Sequence, residues 1–436
     1  MKRELSRLRN LAAELGCDDE YACARILAVA AFDDPLSLER VRELAEIPEL
    51  RLGFPAGSDP ALKLKNSGLA QEGVIPAPKP DIVAAAFIVS VLREDPSTAP
   101  ELIWHALEWN LEMNLSRCTR LAHDAEVVLG ILDFRLSEWL AEALRNNVTR
   151  CRRFDNFVWE GSVPGNLVHA GIVTYETLLA NTTEDEERAR LLANLSNRLS
   201  DAGENDQALA ASQEAVDLYR QLAQANPARF YPDLALSLNN LSNRLRDAGE
   251  NDQALAAIKE AVEIRRQLAQ ANPARFNPDL ADSLNNLSNR LRDAGENDQA
   301  LAAIQEAVEL YRQLAQANPA RFNPELAQSL NNLSNRLSDA GENDQALAAI
   351  QESVAIRRQL AQANPARFNP DLARSLGSMG TILRKSEKIR EALAVFQEGA
   401  DLTRPFAEAN PNSPIAKLHA DLMEELQRTK DGTEGK

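Results

Sequence analysis

The chain has 436 residues and a formal net charge of -17, from 48 Lys/Arg against 65 Asp/Glu. That balance argues against a nucleic-acid footprint, which needs clustered positive charge to displace phosphate counterions, while the length allows two or three domains with buried cores. The four cysteines, Cys17, Cys23, Cys118 and Cys151, show no Cys-x-x-Cys spacing and fit a reducing cytosol better than a disulfide framework.

In chain order, MKRELSRLRNLAAELG reads as a helix and, with Cys17, lacks the apolar core of a signal peptide. DPLSLERVRELAEI and PDIVAAAFIVSVLRED also read as helices. Between them, RLGFPAGSDPALKLKNSGLAQEGVIPAPKP reads as loop or short extended structure, given its Gly and Pro content. The longest apolar run, Ile82 to Leu92, is about half of a membrane span of roughly 20 residues. The expectation is a soluble, cytoplasmic protein with no membrane partner. Later helices are expected at Ala99–Asn114, Arg117–Leu132, Leu136–Asn146 and Leu167–Leu179. All four tryptophans, Trp104, Trp109, Trp139 and Trp159, fall in residues 1–183. Residues 1–95 are therefore read as a helical N-terminal region and 96–183 as a helical, Trp-containing linker region. Arg150, Arg152 and Arg153 form the one dense basic spot, read as a solvated or carboxylate-paired loop.

No catalytic signature accompanies these elements. There is no G-x-x-x-x-G-K-[ST] loop to cradle phosphates and no G-x-S-x-G nucleophile elbow. His105, Cys118 and His123 lie in one region, but no close helical pair supports a metal site, and buried histidines with a core cysteine are the better reading. His123 and Asp124 are adjacent and so face different directions on a helix. The reading is a non-enzyme without cofactor, metal or nucleic acid.

From residue 184 the sequence repeats. Gly203, Gly249, Gly295 and Gly341 stand 46 residues apart inside near-copies of NLSNRLRDAGENDQALAAI. Asn226-Pro227 recurs in step at Asn272-Pro273, Asn318-Pro319, Asn364-Pro365 and Asn410-Pro411. A fixed period of this length means a solenoid, in which each repeat buries its apolar face only against its neighbours. In one repeat Leu234, Leu238, Leu241 and Leu245 form a helical stripe. Asn277 or Asn323 before Pro278 or Pro324 reads as an N-cap followed by proline at the first helical position, and Gly249 reads as the left-handed stop. Ala254, Ile258, Ala261, Val262, Leu268 and Ala269 share the face of a second helix, stopped by Asn272-Pro273. Phe276, in the connector Ala-Arg-Phe-Asn, is expected to plug the gap between repeats. Five repeats fill residues 184–412, the fifth carrying Glu387 where glycine is expected. Residues 413–436 read as a capping helix, PIAKLHADLMEELQRT, and a disordered tail.

The helix-turn-helix resembles the tetratricopeptide repeat. Leu238, Leu241, Leu245, Gly249, Ala254, Ile258 and Ala261 occupy that family's large, large, aromatic, turn, small, aromatic and small positions. Leu245 and Ile258 replace aromatics, Ser242 stands at the usual glycine, and the period exceeds the common length of about 34. Long-period, Asn-rich repeats of this kind look like those of kinesin light chains and of bacterial signalling NTPases. NSGLAQEGVIPAPKPDIVAAAFIVSVL looks like the segment after the nucleotide-binding core of STAND-type NTPases, where a winged-helix or helical module joins the ATPase to its repeats. The resemblance implies an all-α fold: a right-handed solenoid preceded by a helical or winged-helix-like domain.

In that family the first helices line a concave groove. Opposite the leucine stripe lie Leu236, Asn239, Asn243 and Arg246, then Asp282, Asn285, Asn289 and Arg292, then Gln328, Asn331, Asn335 and Ser338, with Ala193 and Asn197 in the first repeat. Asn197, Asn239, Asn243, Arg246, Asn285, Asn289, Arg292, Asn331 and Asn335 are thus the candidate peptide-binding residues, flanked by Asn194, Asn240, Asn286 and Asn332. An asparagine side chain has one acceptor and two donors, suited to the amides of an extended peptide. Mid-helix asparagine costs several tenths of a kcal/mol against alanine, so a row of them asks for a reason. Recent duplication explains the copying but not the choice of residue. Arg198, Arg244, Arg290 and Arg336 repeat at the groove edge, where pairing with a nearby Asp or Glu is expected. The function read from these features is an adaptor that captures a peptide or protein segment. The alternative is a detached regulatory part of a bacterial NTPase-type signalling or defence system, with an NTPase or effector chain as partner. An enzyme hidden in residues 1–183 is a third reading.

Overall fold

The computed structural model describes residues 1–32, 35–79, 81–123, 135–159, 167–411 and 413–434. Among the described residues the fold is all-α apart from one pair of two-residue strands. It divides into residues 1–218 and 219–436.

The N-terminal unit holds α1 (Lys2–Leu15), α2 (Ala22–Phe32), β1 (Leu36–Ser37), α3 (Leu38–Ala45), α4 (Pro60–Asn66), β2 (Val74–Ile75), α5 (Asp81–Glu94), α6 (Ala99–Leu107), α7 (Leu111–His123), α8 (Leu136–Leu144), α9 (Val148–Trp159), α10 (Val168–Leu179) and α11 (Asp185–Asp201); the division falls within α12 (Asn205–Ala225). Several of these differ from the sequence expectation. Every residue of α2 is buried, and a helix apolar all round has no stripe for periodicity to reveal. Its one charge, Arg25, is neutralised in place: Nη1 donates to the Arg51 carbonyl at 2.8 Å and Nη2 to Asp95 at 2.5 Å. The Gly/Pro-rich segment contains α4, with Asp59 capping the Ala61 amide at 3.0 Å and Pro60 in the first turn, and also β2, which pairs antiparallel with β1. The helix expected over Ala99–Asn114 is broken by a 3-10 turn at Glu108–Asn110. Of the expected Arg117–Leu132 helix, residues 124–132 lie outside the described residues.

The Arg150 spot is not a loop. It lies in the first two turns of α9, where Arg150 and Arg153 meet a half-buried polar cluster. Arg150 Nη2 donates to Glu101 at 2.6 Å and Arg153 Nη1 to Glu108 at 3.2 Å; His105 lies between them, Nδ1 at 2.6 Å from Glu108 and Nε2 at 3.4 Å from Glu101. Arg150 first and His105 second hold Glu101 at about 2. Burial by itself would raise Glu108, but His105 and Arg40 overcome it and hold that carboxyl at about 2 as well. Burial opposes the charge on His105, yet its two carboxylates win and raise the imidazole. Each glutamate therefore contributes stability above its ordinary value of 4.5, lost as the pH falls toward about 2. His105 contributes stability below 6.5 that is lost as the pH rises through its raised value. Urea melts followed by tryptophan fluorescence report on this unit, because all four tryptophans lie in it. They are expected to show highest stability between these limits, with His105→Gln removing the alkaline decline and, because His105 also lowers both glutamates, weakening the acid-side dependence. An alkaline decline unchanged in that variant would show that His105 is not its source.

The C-terminal unit is a succession of 21-residue helices: α13 (Pro227–Asp247), α14 (Asn251–Ala271), α15 (Pro273–Asp293), α16 (Asn297–Ala317), α17 (Pro319–Asp339), α18 (Asn343–Ala363), α19 (Pro365–Lys385), α20 (Ile389–Ala409) and α21 (Pro414–Glu434). The first helix of each repeat starts five residues before the proline expected to open it. Asn272 both ends α14 and caps α15, its side chain accepting from the Arg275 amide at 3.3 Å, and Pro273 takes the first helical position. Pro278 is inside α15. Its missing N–H costs one early hydrogen bond, while the added turn buries Phe276, a gain of about 2 kcal/mol. Phe276 is thus part of a helix and not of a connector, with the Arg275 guanidinium 4.9 Å from its ring.

The turn between paired helices is set by backbone chemistry alone. Gly249 has φ 81°, and its N–H and that of Glu250 return to the carbonyls of Arg246 and Leu245, both at 2.8 Å. A Cβ there would meet nothing within 4 Å, so glycine is needed only for the left-handed angle. Glu387 adopts the same turn at φ 60° with Lys388 N–H on the Leu383 carbonyl at 2.9 Å, so the fifth repeat keeps the geometry without the glycine. On the outside, Arg220–Glu260, Arg266–Glu306, Arg312–Glu352 and Arg358–Glu398 pair successive second helices at 2.5–2.7 Å. Being exposed, each contributes about 1 kcal/mol at most. α21 buries Leu422 and Leu426 and continues helical to Glu434, through the segment expected to be disordered. Its polar side chains pair at helical spacing there, as Gln427 does with Asp431 at 2.7 Å, and no proline stops it.

Candidate functional site

The first helices α13, α15 and α17 present asparagine at two registers, and the structure separates them. In the first register the amides are already engaged. Asn239 Oδ1 accepts from Asn286 Nδ2 at 3.0 Å and from Ser283 Oγ at 3.5 Å. Asn285 Nδ2 donates to Ser329 Oγ at 2.7 Å, and its Oδ1 accepts from Asn332 Nδ2 at 3.4 Å. Asn331, only 5% exposed, accepts from Ser375 Oγ at 3.0 Å. These bonds run from each repeat to the next, so this row and its flanking Asn286 and Asn332 stitch adjacent helices together.

Asn243, Asn289 and Asn335 form the second register. They are half-buried and, among the described residues, their side chains make no hydrogen bond within the chain. Asn197, one repeat earlier, lies in the N-terminal unit and is engaged. Arg246 and Arg292 are paired with the neighbouring Asp247 and Asp293 at 2.6 and 2.8 Å. Three of the repeated arginines at the edge pair with acids three residues on, Arg198 with Asp201 and Arg336 with Asp339 at 3.2 Å, and Arg290 with Asp293 at 3.6 Å. Arg290 and Arg336 are buried, which lowers both below the ordinary guanidinium value.

Two cavities open on this face. One, of about 530 Å³, is lined by Leu236, Asn239, Asp282, Asn285, Asn289 and Gln328 from first helices and by Arg265 and Tyr311 from second helices. The other, of about 430 Å³, is lined by Arg292, Asn335 and Arg374, with Phe396 and Leu422 supplying apolar wall. The second-helix residues were missed by looking only at first helices. Their signal was present in the sequence: Tyr219, Arg265, Tyr311 and Arg357 alternate at the repeat period. Tyr311 Oη donates to Asp282 Oδ1. Arg357 Nη1 donates to the Asp371 carbonyl and to Ser375 Oγ, both at 2.6 Å, and Nη2 donates to Gln328 Oε1 at 2.6 Å. Burial pushes Arg357 down to about 10 and lowers Arg265, and it raises Asp282 despite the Tyr311 bond.

Residues 188–227, 234–274, 280–319 and 326–366 each match the family model of the tetratricopeptide repeat. The array has the tetratricopeptide-repeat fold. TPR proteins as a class mediate protein–protein interactions. Among solved structures, the chain is similar to BtubC from P. vanneervenii at 18% identity over 56% of this chain and 92% of that one, TM-score 0.45. It is similar to a Podosopora anserina protein assigned to the kinesin light chains, with nearly identical TPR-like repeats, at 19% identity over 52% of this chain and all of that one, TM-score 0.41. It is also similar to YrrB, described as a TPR protein with an unusual peptide-binding site, at 18% identity over 57% of this chain and 97% of that one, TM-score 0.32. No curated protein matches the chain. Among the described residues no helix is long and apolar enough to cross a membrane.

Proposed function

We propose that the TPR array binds an extended peptide segment of a protein partner along its first-helix face, held by the amides of Asn243, Asn289 and Asn335. The observation that carries this reading is the contrast between the two asparagine rows. One row is consumed by bonds between repeats; the other is half-buried, unbonded within the chain, and costs helix stability at each position. Side-chain amides repeating once per repeat can accept from and donate to successive peptide groups. Arg246 and Arg292 stand at the same face, where pairing with Asp247 and Asp293 leaves them a supporting role.

Joint replacement of Asn243, Asn289 and Asn335 by alanine is expected to keep or slightly raise the melting temperature, each change relieving a poor helix former by about 0.5 kcal/mol. Partner recovered from native lysate, quantified by mass spectrometry, is expected to fall about a hundredfold if each site loses hydrogen bonds worth about 1 kcal/mol. Replacement of Asn239, Asn285 and Asn331 is expected instead to lower the melting temperature, with stability falling by about 1 kcal/mol for each broken link. Equal recovery by the parent and the first triple variant would defeat the reading.

A second reading is supported by one observation. In the N-terminal unit α2, β1, α3, α4 and β2 follow in that order with the two strands antiparallel, an arrangement compatible with a winged-helix-like module. On this reading the chain is the regulatory part of a bacterial NTPase-type system whose nucleotide switch is a separate chain. A P-loop ATPase recovered equally by the parent and the Asn243/Asn289/Asn335 variant would favour it.

A further inference from the structure

The TPR array contains its own control for an unfilled position. Arg265 and Arg357 occupy the same register two repeats apart, and both are buried, at 6% and 3% exposure. Their Nη1 atoms do the same work, each donating to a backbone carbonyl (Asp279, Asp371) and to a serine hydroxyl (Ser283, Ser375). They part at Nη2. Arg357 Nη2 donates to Gln328 Oε1, and the Gln328 amide in turn donates to Asn332 Oδ1 at 3.2 Å. The residue that stands toward Arg265 as Gln328 stands toward Arg357 is Leu236, which has no acceptor and is 49% exposed. Arg265 Nη2 is left with no acceptor among the described residues, in a side chain that lines the 530 Å³ cavity. In the same cavity Asp282 Oδ1 accepts from Tyr311, and Oδ2 accepts no hydrogen bond among the described residues, with the Arg265 charge nearby.

We propose, resting on the peptide-groove reading above, that this cavity takes the carboxamide side chain of a glutamine or asparagine in the bound peptide. Its oxygen accepts from Arg265 Nη2, its NH₂ donates to Asp282 Oδ2, and Leu236 covers its methylene carbons. The choice of group follows from charge. Asp279, Asp282 and Glu325 line the cavity and repel a ligand carboxylate, while a ligand cation has no acceptor to offer Arg265 Nη2. A neutral group with one acceptor and two donors satisfies both open positions, as Gln328 already does one register along. Arg265 is largely buried and its Nη2 opens only onto the cavity, so a ligand acceptor there makes a charge-assisted bond worth more than an ordinary surface bond.

The test is selection of a displayed library of random 12-residue peptides on the full chain and on Leu236→Gln. That substitution copies the Gln328–Arg357 pair, so it supplies the missing acceptor from within and fills the cavity without asking the fold for anything new. The parent is expected to enrich Gln or Asn at one peptide position by about tenfold over Leu, Glu and Lys. The variant is expected still to select peptides but without that preference. Enrichment of Asp/Glu or of Lys/Arg at that position, no preference at all, or a carboxamide preference that survives Leu236→Gln would each overturn the assignment and leave the groove standing. Selection of no peptide by either protein would remove the groove reading and this assignment with it.

Discussion

Excision of residues 273–318 is expected to leave a folded, shorter array that still melts cooperatively. The cut removes α15 and α16 together and joins Asn272 to Pro319, recreating the Asn-Pro junction that every repeat uses. Arg265 would then face α17 through Glu325 and Ser329, the residues in register with Asp279 and Ser283. Removal of residues 273–292 alone should do far more damage. It deletes most of one helix, with Phe276, Leu280, Leu284 and Leu291 buried on it, and strands the faces of α14 and α16 that packed against them. At about 2 kcal/mol for each large side chain, the loss approaches the 5–15 kcal/mol by which whole domains are stable. Circular dichroism melts distinguish the two: a helical signal reduced in proportion and one transition for the first, loss of cooperativity for the second. Equal damage from both would contradict a 46-residue repeat bounded by the Asn-Pro pairs.

Gly380→Ser is expected to destabilise the fifth repeat by about 1–3 kcal/mol, and Phe396→Ile in the same chain to restore most of it. A Cβ on Gly380 would lie 2.6 Å from the Phe396 ring, closer than any real contact. The three preceding repeats hold Ser242, Ser288 and Ser334 at that register, with Ile258, Ile304 and Ile350 at the register of Phe396. Small with large has replaced medium with medium at roughly constant volume, which packed cores tolerate. A double-mutant cycle by urea denaturation should give a coupling energy of about 1–2 kcal/mol. Simple additivity would mean that the ring moves aside and the exchange is accidental. The fifth repeat is therefore adapted as well as divergent, because Gly377 and Gly399 likewise leave room for Leu422 of α21, which would lie 3.0 and 3.3 Å from their added Cβ atoms.

What was legible in the sequence was whatever the backbone decides locally. Gly203, Gly249, Gly295 and Gly341 announce left-handed turns and the Asn-Pro pairs announce helix boundaries, since φ sign and a missing N–H are properties of single residues. The leucine stripe on α13 and its copies follows from helical period, and with it the face that carries the asparagines. Tertiary structure decided the rest. Whether Asn277 or Asn272 caps α15 turned on burial of Phe276, and α2 escaped notice because complete burial erases period. The sequence placed nine candidate residues at the groove but could not say which amides were free. Asn285 and Asn289 differ by one helical turn, yet the first is spent on Ser329 and the second is not. That distinction arises between residues more than forty positions apart, brought together only when one helix packs on the next. The same packing leaves Arg265 without the acceptor that Arg357 has, for want of one side chain at Leu236.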